Sequence, residues 1–146
     1  MTRRQQIQRK RRGFTLIEIL IVLAIIGVIA AMAVPRLIGQ QEQANIKATQ
    51  VAISNFEKAA EFWAIPNNGV FPQSVEVMLQ PDPKTNASPV LDKIPTDAWG
   101  NPLNYEYPNT KANTDRPAIW SNGKNMQNEN GSGDDINNWA DLAVSR

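Results

Sequence analysis

An apolar run of 21 residues, from Phe14 to Val34, limits what this chain can fold into more than any other feature of its sequence. At about 1.5 Å of rise per residue, a helix of this length crosses about 30 Å of hydrocarbon. Glu18 is the only charged residue in the run. A charged side chain costs about 2.5–3.5 kcal/mol at the centre of a span, so an acid here indicates a partner or a function. The run therefore predicts a membrane-spanning helix with one functional carboxylate.

The basic residues are concentrated ahead of this run. Six of the fifteen lie before Gly13, whereas all fourteen acids lie after it, so a cut after Gly13 changes the side-chain net charge from +1 to −5. By the positive-inside rule, the basic segment stays in the cytoplasm and the remainder crosses the membrane. Nucleic-acid binding is not expected, because the basic cluster adjoins an apolar span and the rest of the chain is acidic.

A second pattern joins the basic segment to the apolar run: Gly13, Phe14, Thr15, Leu16 and Glu18 occur in that order. This order resembles the prepilin signature of type IV pilins and type II secretion pseudopilins. The resemblance implies that residues 1–13 are a leader, that a prepilin peptidase cuts between Gly13 and Phe14, and that Phe14 is then N-methylated. It also implies that Glu18 acts in assembly.

An ordinary membrane anchor and a secretory signal peptide are the alternative interpretations of this segment. A signal peptide has a shorter apolar core of about 7–15 residues, and its cleavage site follows that core. Here the apolar run is longer, and the glycine precedes it. An ordinary anchor seldom carries a glutamate at this depth. Both alternatives are therefore disfavoured.

The helix is expected to continue beyond the apolar run. Pro35 predicts a kink or local break, because proline lacks an N–H and its ring clashes with the preceding turn. Apolar side chains then recur at three- and four-residue steps, which indicates an amphipathic, half-buried helix. They are Ala44, Ala48, Val51, Ala52, Phe56, Ala59, Phe62 and Trp63. We expect one helix from Phe14 to about Ala64, with residues 14–34 in the membrane and residues 35–65 as its amphipathic continuation.

Residues 66–146 are expected to form a small globular part with short strands. Prolines limit regular structure in its first third to one short helix near residues 74–79. Apolar and polar residues then alternate over residues 103–107, which is the period of a half-buried strand, and residues 117–121 provide an antiparallel partner. About 80 residues make a thin core, and the sequence has no Cys to form disulfides, so another stabilising element is expected.

The block IPTDAWGNPLNYEYP, from Ile94 to Pro108, resembles a block of the major pseudopilin family of type II secretion systems. Ala98 stands where proline is usual, and Leu103 stands where tyrosine is usual. The segments GVFP, WSNG and DINNW occur in the same order as their family counterparts, so the resemblance spans nearly the whole chain. It implies a type IV pilin-like α+β fold, in which a long N-terminal helix packs on a small antiparallel sheet. Trp99 is expected to pack over that helix.

The same resemblance implies a function and a location. The expected protein is a subunit of the inner membrane, with its N-terminus cytoplasmic and its C-terminal part periplasmic, that polymerises into a helical pseudopilus and drives type II secretion. Its expected partners are copies of itself, the prepilin peptidase, the inner-membrane assembly platform and minor pseudopilins. Because the interface between copies is head-to-tail and does not close, a filament results.

The segment that follows Trp120 is rich in oxygen-bearing side chains. In the family that the chain resembles, the corresponding loop binds calcium, which takes about six to eight oxygen ligands. The resemblance implies a calcium site with Asp134 and Asp135 as carboxylate ligands and with Asn125 and Asn122 as further oxygen donors. Asn125 stands where an aspartate is usual. The residues alone leave a solvated loop as an equal alternative, since their spacing does not fit an EF-hand.

Enzymatic activity is not expected from this sequence. It has no His, the commonest general base and zinc ligand, and no Ser/His/Asp set or phosphate-binding glycine loop. Two other functions remain open. A type IV pilin or minor pilin for adhesion, motility or DNA uptake shares the N-terminal helix, but it more often carries a cysteine-bounded loop. A membrane-tethered binding module that never assembles would need neither Gly13 nor Glu18.

Overall fold

The computed structural model describes residues 13–83, 86–112 and 114–140. The predicted leader, apart from Gly13, lies outside the described residues. The chain divides into two compact units after Gln40. The predicted bounds of the membrane segment, residues 14–34, stay a prediction.

The N-terminal helix, α1, runs from Leu16 to Ala64. The predicted long helix is therefore confirmed. Pro35 does not break it, because α1 continues through this residue, and the alternative of a kink at Pro35 stays a prediction. A proline removes one hydrogen bond from the helix, and good helix formers lie on both sides of it. They are Ala31, Met32 and Ala33 before it, and Arg36 and Leu37 after it. A 3-10 turn, Ile65–Asn67, follows α1, and Asn68 then takes a left-handed conformation with φ 58° that ends the helical path.

The first unit consists of the apolar half of α1. Every residue from 13 to 40 is exposed. By length and composition, α1 is the one helix among the described residues that could cross a membrane. Its apolar side chains therefore have no cover within this unit and need lipid or another molecule around them.

In the second unit, one face of α1 is buried at four-, three-, four- and four-residue steps. The buried side chains are Thr49, Ile53, Phe56, Ala60 and Ala64. The predicted apolar stripe is partly wrong. Phe56 belongs to the buried face and Trp63 packs against the core, but Val51 and Phe62 are 60% and 65% exposed. The reason is that α1 is apolar on two faces, and the globular part covers only one of them.

The remaining elements of the second unit are one short helix and three short strands. Helix α2 is Val75–Met78, and the strands are β1 (Asn104–Glu106), β2 (Ala118–Ser121) and β3 (Ile136–Asn137). The strands form an antiparallel sheet in the order β1-β2-β3. This arrangement confirms the predicted α+β class, the short helix and the first two strands.

The core of the second unit lies between α1 and the sheet. It consists of Ile53, Phe56, Ala60, Met78, Leu103 and Ile119. Tyr105 packs on Phe56, with ring centroids 5.6 Å apart, and its hydroxyl donates to the Pro72 carbonyl at 2.8 Å. Burial raises the pKa of Tyr105 above its ordinary value. Trp99 is half-buried and does not belong to this buried core.

Candidate functional site

The predicted processing site lies just ahead of α1. Gly13 has no other part of the chain within 4 Å of the position that a Cβ would occupy, and Phe14 is 87% exposed. Both residues precede the first helical residue, Leu16. None of the described residues therefore covers the peptide bond between Gly13 and Phe14.

Glu18 is tied to Thr15 by three hydrogen bonds. The backbone N–H and the hydroxyl of Thr15 donate to Glu18 Oε2 at 2.8 and 3.0 Å, and the Glu18 N–H donates to Thr15 Oγ1 at 3.3 Å. This reciprocal arrangement is a capping box, which satisfies N–H groups that the first helical turn leaves without partners. The sequence signal for this box is the pair Thr15 and Glu18, at a three-residue spacing ahead of an apolar run, and the box was not among the predictions.

The second candidate site is the loop between β2 and β3, residues 122–135, which we call the acidic loop. Two tryptophans anchor it. Trp120 donates from Nε1 to Asn128 Oδ1 at 3.0 Å, and the rings of Trp120 and Trp139 pack edge to face with centroids 5.9 Å apart. Lys111 donates to Asn130 Oδ1 at 3.0 Å. The acidic loop is thus held at both ends and in its middle.

Three carboxylates converge in the acidic loop. One oxygen from each of Glu129, Asp134 and Asp135 lies within 4.8 Å of the others. The structure thus brings together the two predicted aspartates and adds Glu129, which the sequence analysis did not name. The spacing of Glu129 from the aspartates does not predict that they meet. The chain between them turns back through residues with positive φ, including Gly131 and Gly133.

Asp135 organises the acidic loop through one of its oxygens. Oδ2 accepts hydrogen bonds from the backbone N–H groups of Glu129 at 3.0 Å and Gly131 at 2.8 Å. Oδ1 is buried and has no hydrogen-bond partner among the described residues. A buried carboxylate oxygen without a partner is costly, so its position suits a cation. Together with the two neighbouring carboxylates, it forms an oxygen donor set of the kind that calcium uses.

Asn125 lies beside Asp134, but the side-chain oxygens of both predicted asparagine ligands, Asn122 and Asn125, accept hydrogen bonds from other residues. Asn122 Oδ1 accepts from Asn104 Nδ2 at 2.6 Å, and Asn125 Oδ1 accepts from the Gln127 N–H at 2.6 Å. The Asn125 N–H donates to Asp134 Oδ2 at 2.9 Å. Their role as calcium ligands stays a prediction.

A buried aspartate connects the acidic loop to the rest of the second unit. Asp97 Oδ1 accepts from the N–H groups of Trp99 and Asn101 at 3.0 and 2.8 Å, which holds the turn of the IPTDAWGNP block. Asp97 Oδ2 accepts from the Ser121 hydroxyl at 2.7 Å, and Ser121 Oγ accepts from the Gly123 N–H at 3.0 Å. The aspartate therefore links this turn to the first residues of the acidic loop.

The family comparisons match both sites. The family described as "Type II secretion system (T2SS), protein G" matches residues 36–139, and the prokaryotic N-terminal methylation motif matches residues 8–34. Proteins named type II secretion system core protein G are similar over most of their length. The one from Pseudomonas aeruginosa is 34% identical over 90% of this chain and 97% of its own length.

Two further relatives agree with this assignment. The core protein G of Vibrio cholerae is 31% identical over 90% of this chain and 93% of its own length. The core protein G of Escherichia coli K12 is 32% identical over 89% of this chain and 92% of its own length. With a family match that covers most of the described residues, the chain belongs to the type II secretion system protein G family.

Proposed function

We propose that this protein is the major pseudopilin of a type II secretion system, a structural subunit that is processed, N-methylated and polymerised into a pseudopilus. The observation that carries the proposal is the occurrence of both family signatures in one chain, the methylation motif over residues 8–34 and the protein G family over residues 36–139. The second signature favours secretion over a type IV pilin function. The family is not known for enzymatic activity, and the proposed role is mechanical.

The apolar half of α1 supports polymerisation as the mechanism. Its side chains are exposed from residue 13 to residue 40, and in a bilayer lipid covers them. When a subunit leaves the bilayer, this surface needs a new apolar cover, and identical segments of other subunits provide it. The basic leader places the N-terminus in the cytoplasm by the positive-inside rule, so the second unit lies in the periplasm. Filament growth from the inner membrane then displaces cargo outward.

Glu18 supplies the polar contact of this assembly. Cleavage after Gly13 creates a positively charged amine on Phe14, and the carboxylate of a neighbouring subunit's Glu18 pairs with it inside the apolar filament core. The low dielectric of that core strengthens the pair, and leaving either charge alone is costly. The capping box aims the carboxylate of Glu18 toward the N-terminal end of its own helix.

Calcium binding is the second part of the proposal. Asp134 and Asp135 hold the ion in the acidic loop, which a buried oxygen of Asp135 and the convergence of carboxylates support. Bound calcium would neutralise the charges of Asp134 and Asp135, directly ahead of β3, in a loop that contains no helix or strand. It would thereby stabilise the sheet edge formed by β3.

Processing and function are tested in the native host. Intact-mass analysis of membrane-extracted protein is expected to give a chain that begins at Phe14 and carries one added methyl group. Deletion of the gene is expected to abolish export of secreted proteins across the outer membrane and to leave pilus-dependent surface motility unchanged. Assembled material that retains residues 1–13, or a deletion that stops motility and spares secretion, would contradict the proposal.

A further inference from the structure

We propose that Glu129 supplies the third carboxylate of the calcium site, in place of the acidic residue that position 125 lacks. This inference rests on the proposed binding of calcium to the acidic loop. The observation behind it is that Glu129, Asp134 and Asp135 bring one oxygen each to within 4.8 Å of one another. A neutral residue at position 125 is thus offset by an acid four residues further along the loop.

The contacts of Asn125 give it a different task. Its side-chain oxygen accepts from the Gln127 N–H at 2.6 Å, and its own N–H donates to Asp134 Oδ2 at 2.9 Å. The contact with Asp134 comes from the backbone, so any residue other than proline can make it. The backbone at position 125 therefore positions Asp134, while the side chain of Asn125 holds the Gln127 N–H and contributes no charge to the site.

The three carboxylates lack a cation of their own. The ion pairs of the nearby lysines go elsewhere, from Lys124 to Glu42 and from Lys111 to Glu106. Within residues 13–83, 86–112 and 114–140, no ion pair involves Glu129, Asp134 or Asp135. Three like charges at this spacing repel one another, and the buried Oδ1 of Asp135 has no hydrogen bond to compensate it. A divalent cation between them removes both penalties.

The backbone leaves room for the carboxylate of Glu129. Gly133 has φ +61°, and a Cβ at this position would overlap Glu129 Oε2. The same Oε2 accepts from the Asp134 N–H at 3.2 Å, which holds it beside the aspartates. The glycine therefore permits the approach of Glu129, and the hydrogen bond directs it.

The donor set favours calcium over other divalent ions. Hard carboxylate oxygens on a loop of irregular geometry suit calcium, whereas magnesium requires a nearly ideal octahedron. Zinc prefers nitrogen and sulfur ligands, and the sequence has neither His nor Cys.

The test uses the processed full-length protein in detergent micelles. Calcium Kd is measured by isothermal titration calorimetry. Terbium, a luminescent calcium analogue, is used as a second probe, and its binding is followed by luminescence sensitised by Trp139. The ring of Trp139 packs against Gly131 in the acidic loop. The variants are Glu129→Gln, Asn125→Ala and Asp135→Asn, together with the double variant Glu129→Gln/Asn125→Asp. Glu129→Gln keeps the size of the side chain and removes only its charge. Melting curves in chelator establish that each variant is folded.

Because calcium affinity follows the number of charged ligands, Glu129→Gln is expected to weaken calcium binding by about tenfold or more, and Asn125→Ala by less than about threefold. The double variant returns a carboxylate at position 125 and is expected to recover most of the affinity. If the unmutated protein binds calcium and Asp135→Asn abolishes binding, but Glu129→Gln binds as tightly as the unmutated protein, the role of Glu129 is wrong and the calcium site stands. If the unmutated protein binds neither calcium nor terbium, the proposed calcium site and the role of Glu129 in it are both wrong.

Discussion

At the residue scale, Glu18 has two partners that its position makes available. Within its own chain it closes the capping box with Thr15. In the filament that we propose, it pairs with the amine of a neighbouring subunit's Phe14. Capping is worth about 0.5–2 kcal/mol, whereas an unpaired charge inside an apolar core costs more. We therefore expect pairing between subunits to contribute more than capping to the effect of Glu18 on assembly, while capping sets the direction of the carboxylate.

We predict that Glu18→Leu leaves membrane insertion intact and greatly reduces filament yield. Removing an intramembrane carboxylate favours insertion, but it leaves the neighbouring amine without a partner. Thr15→Ala is the matched control, because it removes the capping hydroxyl and keeps the acid. Filaments sheared from cells are quantified by immunoblotting, with membrane fractionation for insertion. If Thr15→Ala lowers the filament yield as much as Glu18→Leu does, then capping, and not pairing between subunits, accounts for the effect of Glu18 on assembly.

Asp97, in the globular part, is likewise a carboxylate with two sets of partners, because it accepts hydrogen bonds from two separate parts of the chain. It accepts from the turn after it and from Ser121 on β2, and it is only 6% exposed. Hydrogen bonds to a charged group contribute about 1.5–3 kcal/mol each, and their donors would lose their partners if the aspartate were removed.

We predict that Asp97→Ala lowers the free energy of unfolding by about 3 kcal/mol or more. Ser121→Ala removes only one of the donors and is expected to cost about 1–2 kcal/mol. Urea unfolding of the detergent-solubilised protein, followed by tryptophan fluorescence, measures both variants. Equal losses for the two variants would mean that the turn does not depend on Asp97.

At the element scale, α1 has two apolar faces in the second unit, and they differ in what covers them. Phe56 is 1% exposed against the sheet, whereas Phe62, in the next turns of the helix, is 65% exposed. Spacing alone cannot separate these faces, because both satisfy three- and four-residue steps. The difference arises from the sheet, which the sequence pattern of the helix does not encode.

We predict that Phe56→Ala costs about 3–5 kcal/mol of stability, because it opens a cavity in the core. Phe62→Ala, the same substitution on the other face, is expected to change stability by less than about 0.5 kcal/mol, since little of that side chain is buried. The two variants are compared by urea unfolding under identical conditions. A large loss for Phe62→Ala would mean that the exposed face is covered in the isolated protein.

The sequence predicts elements with a clear period and fails where no period exists. The helix to Ala64 and the strand around Tyr105 were predicted from spacing, and residues 117–121 were predicted as the antiparallel partner of that strand. Strand β3 has two residues, which is too short for a period. The position of Glu129 depends on left-handed turns, so the sequence indicated an oxygen-rich loop but not which carboxylates meet in it.

At the scale of the whole molecule, the chain combines an uncovered apolar helix with a globular unit that has its own core. The division after Gln40 separates them. The apolar side chains of the first unit are covered either by lipid or by copies of the same segment, as expected for a pseudopilus subunit. The second unit buries a small core without disulfides, so we expect the ion that we propose for the acidic loop to add to its stability.

We predict that the fragment from Gln41 to the C-terminus folds alone and melts at a higher temperature in calcium than in chelator. Binding to the folded state adds about 2.7 kcal/mol when free calcium is 100 times its Kd. Magnesium at the same concentration is expected to raise the melting temperature much less, because it tolerates irregular loops poorly. Asp135→Ala is expected to abolish the difference between calcium and chelator. Gln127→Ala is the control from the same loop, because this exposed residue makes its hydrogen bond through its backbone N–H. A fragment that melts cooperatively but at the same temperature in both conditions would show that the acidic loop is held by its tryptophans and backbone hydrogen bonds alone.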